Sequence, residues 1–148
     1  MGFITGEDMN RTNPEEIQRL FENSPFIADL GLQLDRAGDG ECCTQLTLET
    51  RHLQQDGYVH AGVLATMADH TAGAAGVTLI AKNQYVLTAE FRMSLLRAAR
   101  GSRLICKARV LKAGRMLSVV ESEVLCCNAD TSILATKATV TLAIVEKP

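Results

Sequence analysis

Between Ala61 and Ala81 the sequence AGVLATMADHTAGAAGVTLIA is built almost wholly from Ala, Gly, Val and Leu, with Thr66, Asp69 and His70 its conspicuous polar residues. No proline interrupts it, which suits a helix, yet Gly73 and Gly76 would each weaken an exposed helix by about 1 kcal/mol. A surface helix shows one polar face, and this one shows none. Small side chains all round let other backbone approach closely. The pattern therefore predicts a core helix with something wrapped around it. Asp69 and His70 interrupt the segment at its middle, so it also falls short of the ~20 apolar residues of a membrane span.

The wrapping follows in sequence. Gln84 to Leu96, Arg103 to Lys112, Met116 to Cys127 and Ile133 to Val145 are rich in Val, Ile, Leu and Thr and are expected to be strands. Arg100-Gly101-Ser102, Ala113-Gly114-Arg115 and Asn128-Ala129-Asp130 part them as turns. Leu104, Cys106, Ala108 and Val110 interleave with Arg103, Lys107 and Arg109, the alternation of a half-buried strand. Short links make neighbouring strands antiparallel. Upstream, Asn13-Pro14-Glu15-Glu16 reads as a capped helix start, Ile17, Leu20 and Phe21 share one face, and Ser24-Pro25 ends that helix. A strand-like stretch runs from Gly38 to Thr50, and Asp56-Gly57 supplies a turn. The expected fold class is α+β, an antiparallel sheet around a long central helix. It occupies a single domain of residues 1–148, with 1–24 as an N-terminal extension and helix.

Composition limits the partners. With 148 residues, 47% of them hydrophobic, the chain fits one globular domain. Fifteen Lys plus Arg against seventeen Asp plus Glu leave a net charge of -2, which supports neither nucleic acid nor an anionic membrane as partner. The start MGFITGEDMNRTNPEE has no basic, apolar leader, so a cytoplasmic location is expected. Five cysteines occur as Cys42-Cys43, Cys106 and Cys126-Cys127, with no CxxC. Adjacent residues of a strand point to opposite faces, so neither doublet chelates; reduced structural thiols and no metal are expected.

Gly57-Tyr58-Val59-His60-Ala61-Gly62 followed by Asp69 resembles the G-x-x-H-G-G-x(6)-D signature of acyl-CoA thioesterases of the phenylacetic-acid-degradation type. Thr88-Ala89-Glu90-Phe91 and Leu95-Leu96-Arg97-Ala98-Ala99-Arg100-Gly101 are similar to that family's T-x-E strand and F-L-R-P-A-R-x-G turn, and Ser24-Pro25-Phe26 through Leu30-Gly31 to its S-P-F…L-G start. The likeness runs from about Ser24 to Val145. It implies the hotdog fold, hydrolysis of an acyl-CoA to acid and CoA without metal or organic cofactor, and a homodimer or homotetramer with sites at the subunit seam.

The chemistry needs a base or nucleophile and donors for an oxygen that becomes anionic. Asp69 is the candidate acid, because a carboxylate in so apolar a stretch is costly unless it is paired or used. The first N–H groups of its helix lack intrahelical partners and carry the positive end of the dipole, and the acid is expected beside that tip. The resemblance gives the oxyanion contact to the N–H of Ala61, with Gly62 beside it. It has His60 shape the loop, Gln54 hold water or carbonyl, and Thr88 from the other subunit orient the water. Gln55 stands next to Gln54 and the sequence does not choose between them; nor does it choose between base and nucleophile for Asp69. His70 projects about 100° away from Asp69 and is expected to pack. Gly73 is expected to be a close-packing position, with room for an acyl chain the other reading. Arg97, Arg100 and Arg103 are the expected contacts for the phosphates of CoA. Two other functions fit the same residues: a hotdog enoyl-CoA hydratase or dehydratase using His60 and Asp69, and a non-catalytic acyl-CoA sensor.

Overall fold

The computed structural model describes residues 12–148; residues 1–11 of the expected N-terminal extension lie outside the described residues. Helix α1 (Pro14–Glu22) starts where the sequence caps it. The Asn13 side chain accepts from the Glu16 N–H, and the Glu16 carboxylate accepts from the Asn13 N–H, so each orphan donor finds a partner. Ile17 and Phe21 bury its apolar face. Pro25 does more than end this helix: it opens a second, α2 (Pro25–Leu30), closed by Gly31 at φ 88°.

The stretch expected as one strand from Gly38 to Thr50 is a hairpin arm. Strand β1 (Gln33–Gly38) precedes it, β2 (Glu41–Thr47) is the arm itself, and a 3-10 turn covers Thr50–His52. Between β1 and β2, Asp39 and Gly40 take φ of 51° and 80°, the two left-handed residues of a tight hairpin turn. Gln33 to Gly38 alternates too weakly to be read as a strand, and the Asp-Gly pair was its available signal. After α3 (Ala61–Val77) come β3 (Gln84–Leu95), β4 (Arg103–Ala113), β5 (Leu117–Asn128) and β6 (Thr131–Glu146). All neighbours are antiparallel in the order β1-β2-β4-β5-β6-β3.

This sheet curls around α3, which is the hotdog architecture. Met67, Ala68, Ala72 and Ala75 of the helix are fully buried, as are Leu104, Val120, Val124 and Leu142 facing them from the sheet. Two buried polar contacts fix the helix's rotation: Ser122 donates to the carbonyl of Ala68 at 2.8 Å, and the hydroxyls of Thr44 and Thr71 meet at 2.7 Å. All five cysteines are free and buried, and burial pushes the thiols of Cys42 and Cys106 up to about 12, which leaves them packing groups.

Of Gly73 and Gly76 in α3, Gly76 is the close-packing one. A Cβ there would run into Cδ1 of the fully buried Leu142, whereas at Gly73 nothing lies within 4 Å. Gly76→Ala is accordingly expected to cost about 1 to 2 kcal/mol, because overpacking outweighs the helix propensity gained. Thermal melting checks this: an unchanged or raised Tm would show that Leu142 can yield.

Among the described residues strand β3 pairs on one side only, with β6. Its free edge carries Leu87, Phe91 and Leu95 at 53%, 41% and 53% exposure. A long apolar edge of this kind is a template for another strand unless it is covered.

Candidate active site

The loop before α3 is tied down on both sides. Gly57 takes φ 81°, the Gln54 N–H donates to the Tyr58 carbonyl at 2.8 Å, and the Val59 N–H donates to Ala99 at 2.9 Å. Arg100 holds the loop from outside, donating to the carbonyls of Asp56 and Gly57 at 3.1 and 3.4 Å while its guanidinium lies 4.7 Å from the centre of the Tyr58 ring. These contacts engage its Nε and one Nη of the exposed side chain. Arg103, exposed at the start of β4, does not line the adjoining cavity, and Arg97 does.

His60 caps α3. Its Nδ1 accepts from the Gly62 N–H at 2.8 Å, which removes Gly62 from the expected oxyanion donors. The Ala61 N–H finds no acceptor among the described residues. Ala61 is not among the residues with positive φ, so alanine in place of the signature's second glycine carries no backbone strain. Together with Gln54, Tyr58, Leu64 and Leu95 it lines a cavity of about 310 Å³. Gln55 is exposed, hydrogen-bonds Asp56 and does not line it.

Asp69 is half-buried and lines a different cavity, of about 190 Å³, with Gly73, Tyr85 and Thr88. The Thr88 hydroxyl donates to Asp69 Oδ1 at 2.7 Å. Register in the β3 and β6 pair shifts between Thr88 and Glu90, so a bulge falls beside this threonine, a common device for re-aiming a side chain at a site. The resemblance put Thr88 in the partner's half of the site; it meets the acid of its own chain. Oδ2 of Asp69 finds no donor among the described residues.

Asp69 and the tip of its own helix are not together. Asp69 stands eight residues after Ala61 in α3, about 12 Å of axial rise. The expectation of an acid beside its own helix N-terminus fails on helix geometry alone. The N–H of Ala61 with Gln54, and the Asp69 carboxylate with Thr88, thus line two separate cavities.

His70 packs edge-on against Phe21 of α1 with ring centres 4.8 Å apart, and its buried Nε2 has no partner among the described residues. Burial holds its imidazole below the ordinary 6.5, while neighbouring Asp69 pulls the other way. With the folded value depressed, the unfolded chain takes up the proton first. This contribution to stability is present above about pH 6.5 and lost as pH falls through the folded value. Tm is expected to drop more steeply between about pH 7.5 and pH 5 than in His70→Phe; parallel curves would exclude His70 as the cause.

Over 121 residues the chain is 32% identical to a Halobacterium salinarum protein provisionally named an esterase, spanning 78% of this chain and 79% of that one. The model of the thioesterase superfamily matches residues 56–128, which include the loop, α3 and Asp69. The chain belongs to the thioesterase superfamily. Among solved structures, a thioesterase family protein from Silicibacter pomeroyi superposes with a TM-score of 0.85 at 28% identity, covering 88% of this chain and 96% of that one. A conserved protein from Pseudomonas aeruginosa gives 0.78 at 28% identity over 90% and 100%. Membership in this superfamily makes the chain a candidate acyl-thioester hydrolase at the level of reaction class. No described helix is long and apolar enough to cross a membrane.

Proposed function

We propose that this protein hydrolyses acyl-CoA thioesters to carboxylic acid and CoA, in a homodimer whose sites join the Ala61 and Asp69 cavities across the two-fold axis. The observation that carries the reading is the Asp69 carboxylate of a mostly apolar helix, which accepts from Thr88 through Oδ1 at 2.7 Å and lines a cavity. Asp69 takes a proton from water as it attacks the carbonyl, or attacks the carbonyl itself to give a mixed anhydride that water then opens. In either route the carbonyl oxygen becomes anionic, the C–S bond breaks and CoA leaves as its thiolate. The Ala61 N–H, at the positive end of α3, is suited to the developing oxyanion, and Gln54 to the water or carbonyl.

The geometry of β3 supports assembly across its edge. Tyr85, Val86 and Thr88, at the start of the strand, line the Asp69 cavity; Leu95, at its end, lines the Ala61 cavity. Antiparallel pairing of two such edges about Phe91 would set the start of one strand against the end of the other. That brings the acid of one chain to the N–H of its partner, and covers Leu87, Phe91 and Leu95. Arg97 at the Ala61 cavity supplies positive charge on the CoA side. The hydratase alternative is disfavoured because Nδ1 of His60 is engaged by Gly62.

Thiol release from a panel of aromatic and short to long aliphatic CoA esters tests this reading. Turnover of at least one class is expected. Tight binding of the esters with no released thiol over hours would overturn it in favour of a sensor.

A further inference from the structure

The face of α3 that looks toward α1 carries Asp69, Gly73 and Val77, each four residues from the last and so about 6 Å further along the axis. This face lines two adjoining cavities. The first, of about 190 Å³, has Asp69 and Thr88 at one end and Gly73, Val77, Tyr85 and Leu20 as walls. The second, of about 250 Å³, shares Leu20, Val77 and Tyr85 with the first and reaches Glu16, Arg19 and Lys147. The three shared side chains are thus the partition between them. Leu20 comes from α1, which lies outside the residues matched by the superfamily model.

Charge distinguishes this cavity from its neighbour at Ala61. Among the described residues no Lys or Arg lines it, its acid repels phosphate, and burial of His70 disfavours the imidazolium. The Ala61 cavity has Arg97 in its wall. An anionic nucleotide arm belongs on the Arg97 side, and an uncharged group beside Asp69. Size then limits that group: a cavity of about 150 Å³ takes benzene, so this one takes about six to eight carbons. At Gly73 a Cβ would meet nothing within 4 Å, so this wall is open only because it lacks a side chain.

We infer that the Asp69 cavity receives the acyl part of the thioester, and that Gly73 and Leu20 of α1 set its depth for a compact, uncharged acyl group. The inference rests on the thioesterase reading above and adds a specificity to it. Leu20→Ala opens the partition toward the second cavity, and Gly73→Val fills the first. Gly73→Ala narrows it by less and favours the helix, so it serves should the valine variant fold poorly.

The test is kcat/KM for each protein on saturated CoA esters from acetyl to dodecanoyl and on phenylacetyl-CoA. The parent chain is expected to peak at about six to eight carbons. Gly73→Val is expected to lower the hexanoyl to acetyl ratio about tenfold, the scale on which pockets discriminate methylenes, with Gly73→Ala moving it the same way. Leu20→Ala is expected to move the peak to longer chains. Robust turnover with parallel profiles in all variants, or a parent optimum at acetyl or dodecanoyl, would overturn the pocket assignment alone. A parent chain that hydrolyses none of the esters would overturn the thioesterase reading and this inference with it.

Discussion

Asp69→Ala is expected to fold and assemble like the parent chain and to lose about 10³-fold in kcat/KM, the range for removal of a general base. Folding should survive because the carboxylate is half-buried and exposes only the Thr88 hydroxyl when removed, while alanine favours the helix. Asp69→Asn keeps the shape and an acceptor for Thr88, so an equal loss in both variants would assign the effect to charge. Undiminished kcat/KM in Asp69→Ala, against the best ester, would refute the role. Single-turnover hydrolysis in heavy-oxygen water identifies an anhydride that water opens at the Asp69 carbonyl: Asp69 then delivers its own oxygen to the first acid released, whereas general-base attack on the acyl carbon delivers labelled solvent oxygen.

Ala61→Pro is expected to cost about 10² to 10³ in kcat, the loss seen when one oxyanion donor is removed. Proline suits this position, since the first residue of a helix needs no N–H for the ladder. His60 before it is already extended at φ -61° and ψ 136°, as a residue preceding proline must be. The variant therefore deletes one hydrogen and little else. Mixing it with Asp69→Ala after dissociation and reassembly probes the seam. If acid and N–H come from different chains, each mixed dimer has one intact site, and about a quarter of the parent activity returns. If both come from one chain, no site is intact and nothing returns. The absence of recovery in demonstrably mixed dimers would refute the composite site.

Much of the fold was legible because hydrophobic periodicity survives folding. The Ala/Gly-rich run became α3, and the four downstream stretches became β3 to β6 with ends shifted by a residue or two. The misses were short elements. Helix α2 and strand β1 each have six residues, too few for a period to stand out, and only Pro25 and Asp39-Gly40 marked where they begin or end. Among the candidate site residues, Asp69 stood out in the sequence because an acid in a mostly apolar helix is conspicuous. The engagement of Gly62 by His60 and of Arg100 by the loop carbonyls did not, because both depend on where backbone groups lie in space.

The sequence by itself determined that one long helix would be buried, that a sheet would surround it, and that a single carboxylate would be stranded on it, since burial cost and periodicity are properties of residue order. Only the tertiary structure decided which groups meet. Helical rise puts about 12 Å between Asp69 and the helix tip beside which it was expected. A bulge turns Thr88 onto the acid, and α1 folds back to wall the cavity with Leu20. Such contacts join residues far apart in the chain, and no local pattern encodes them.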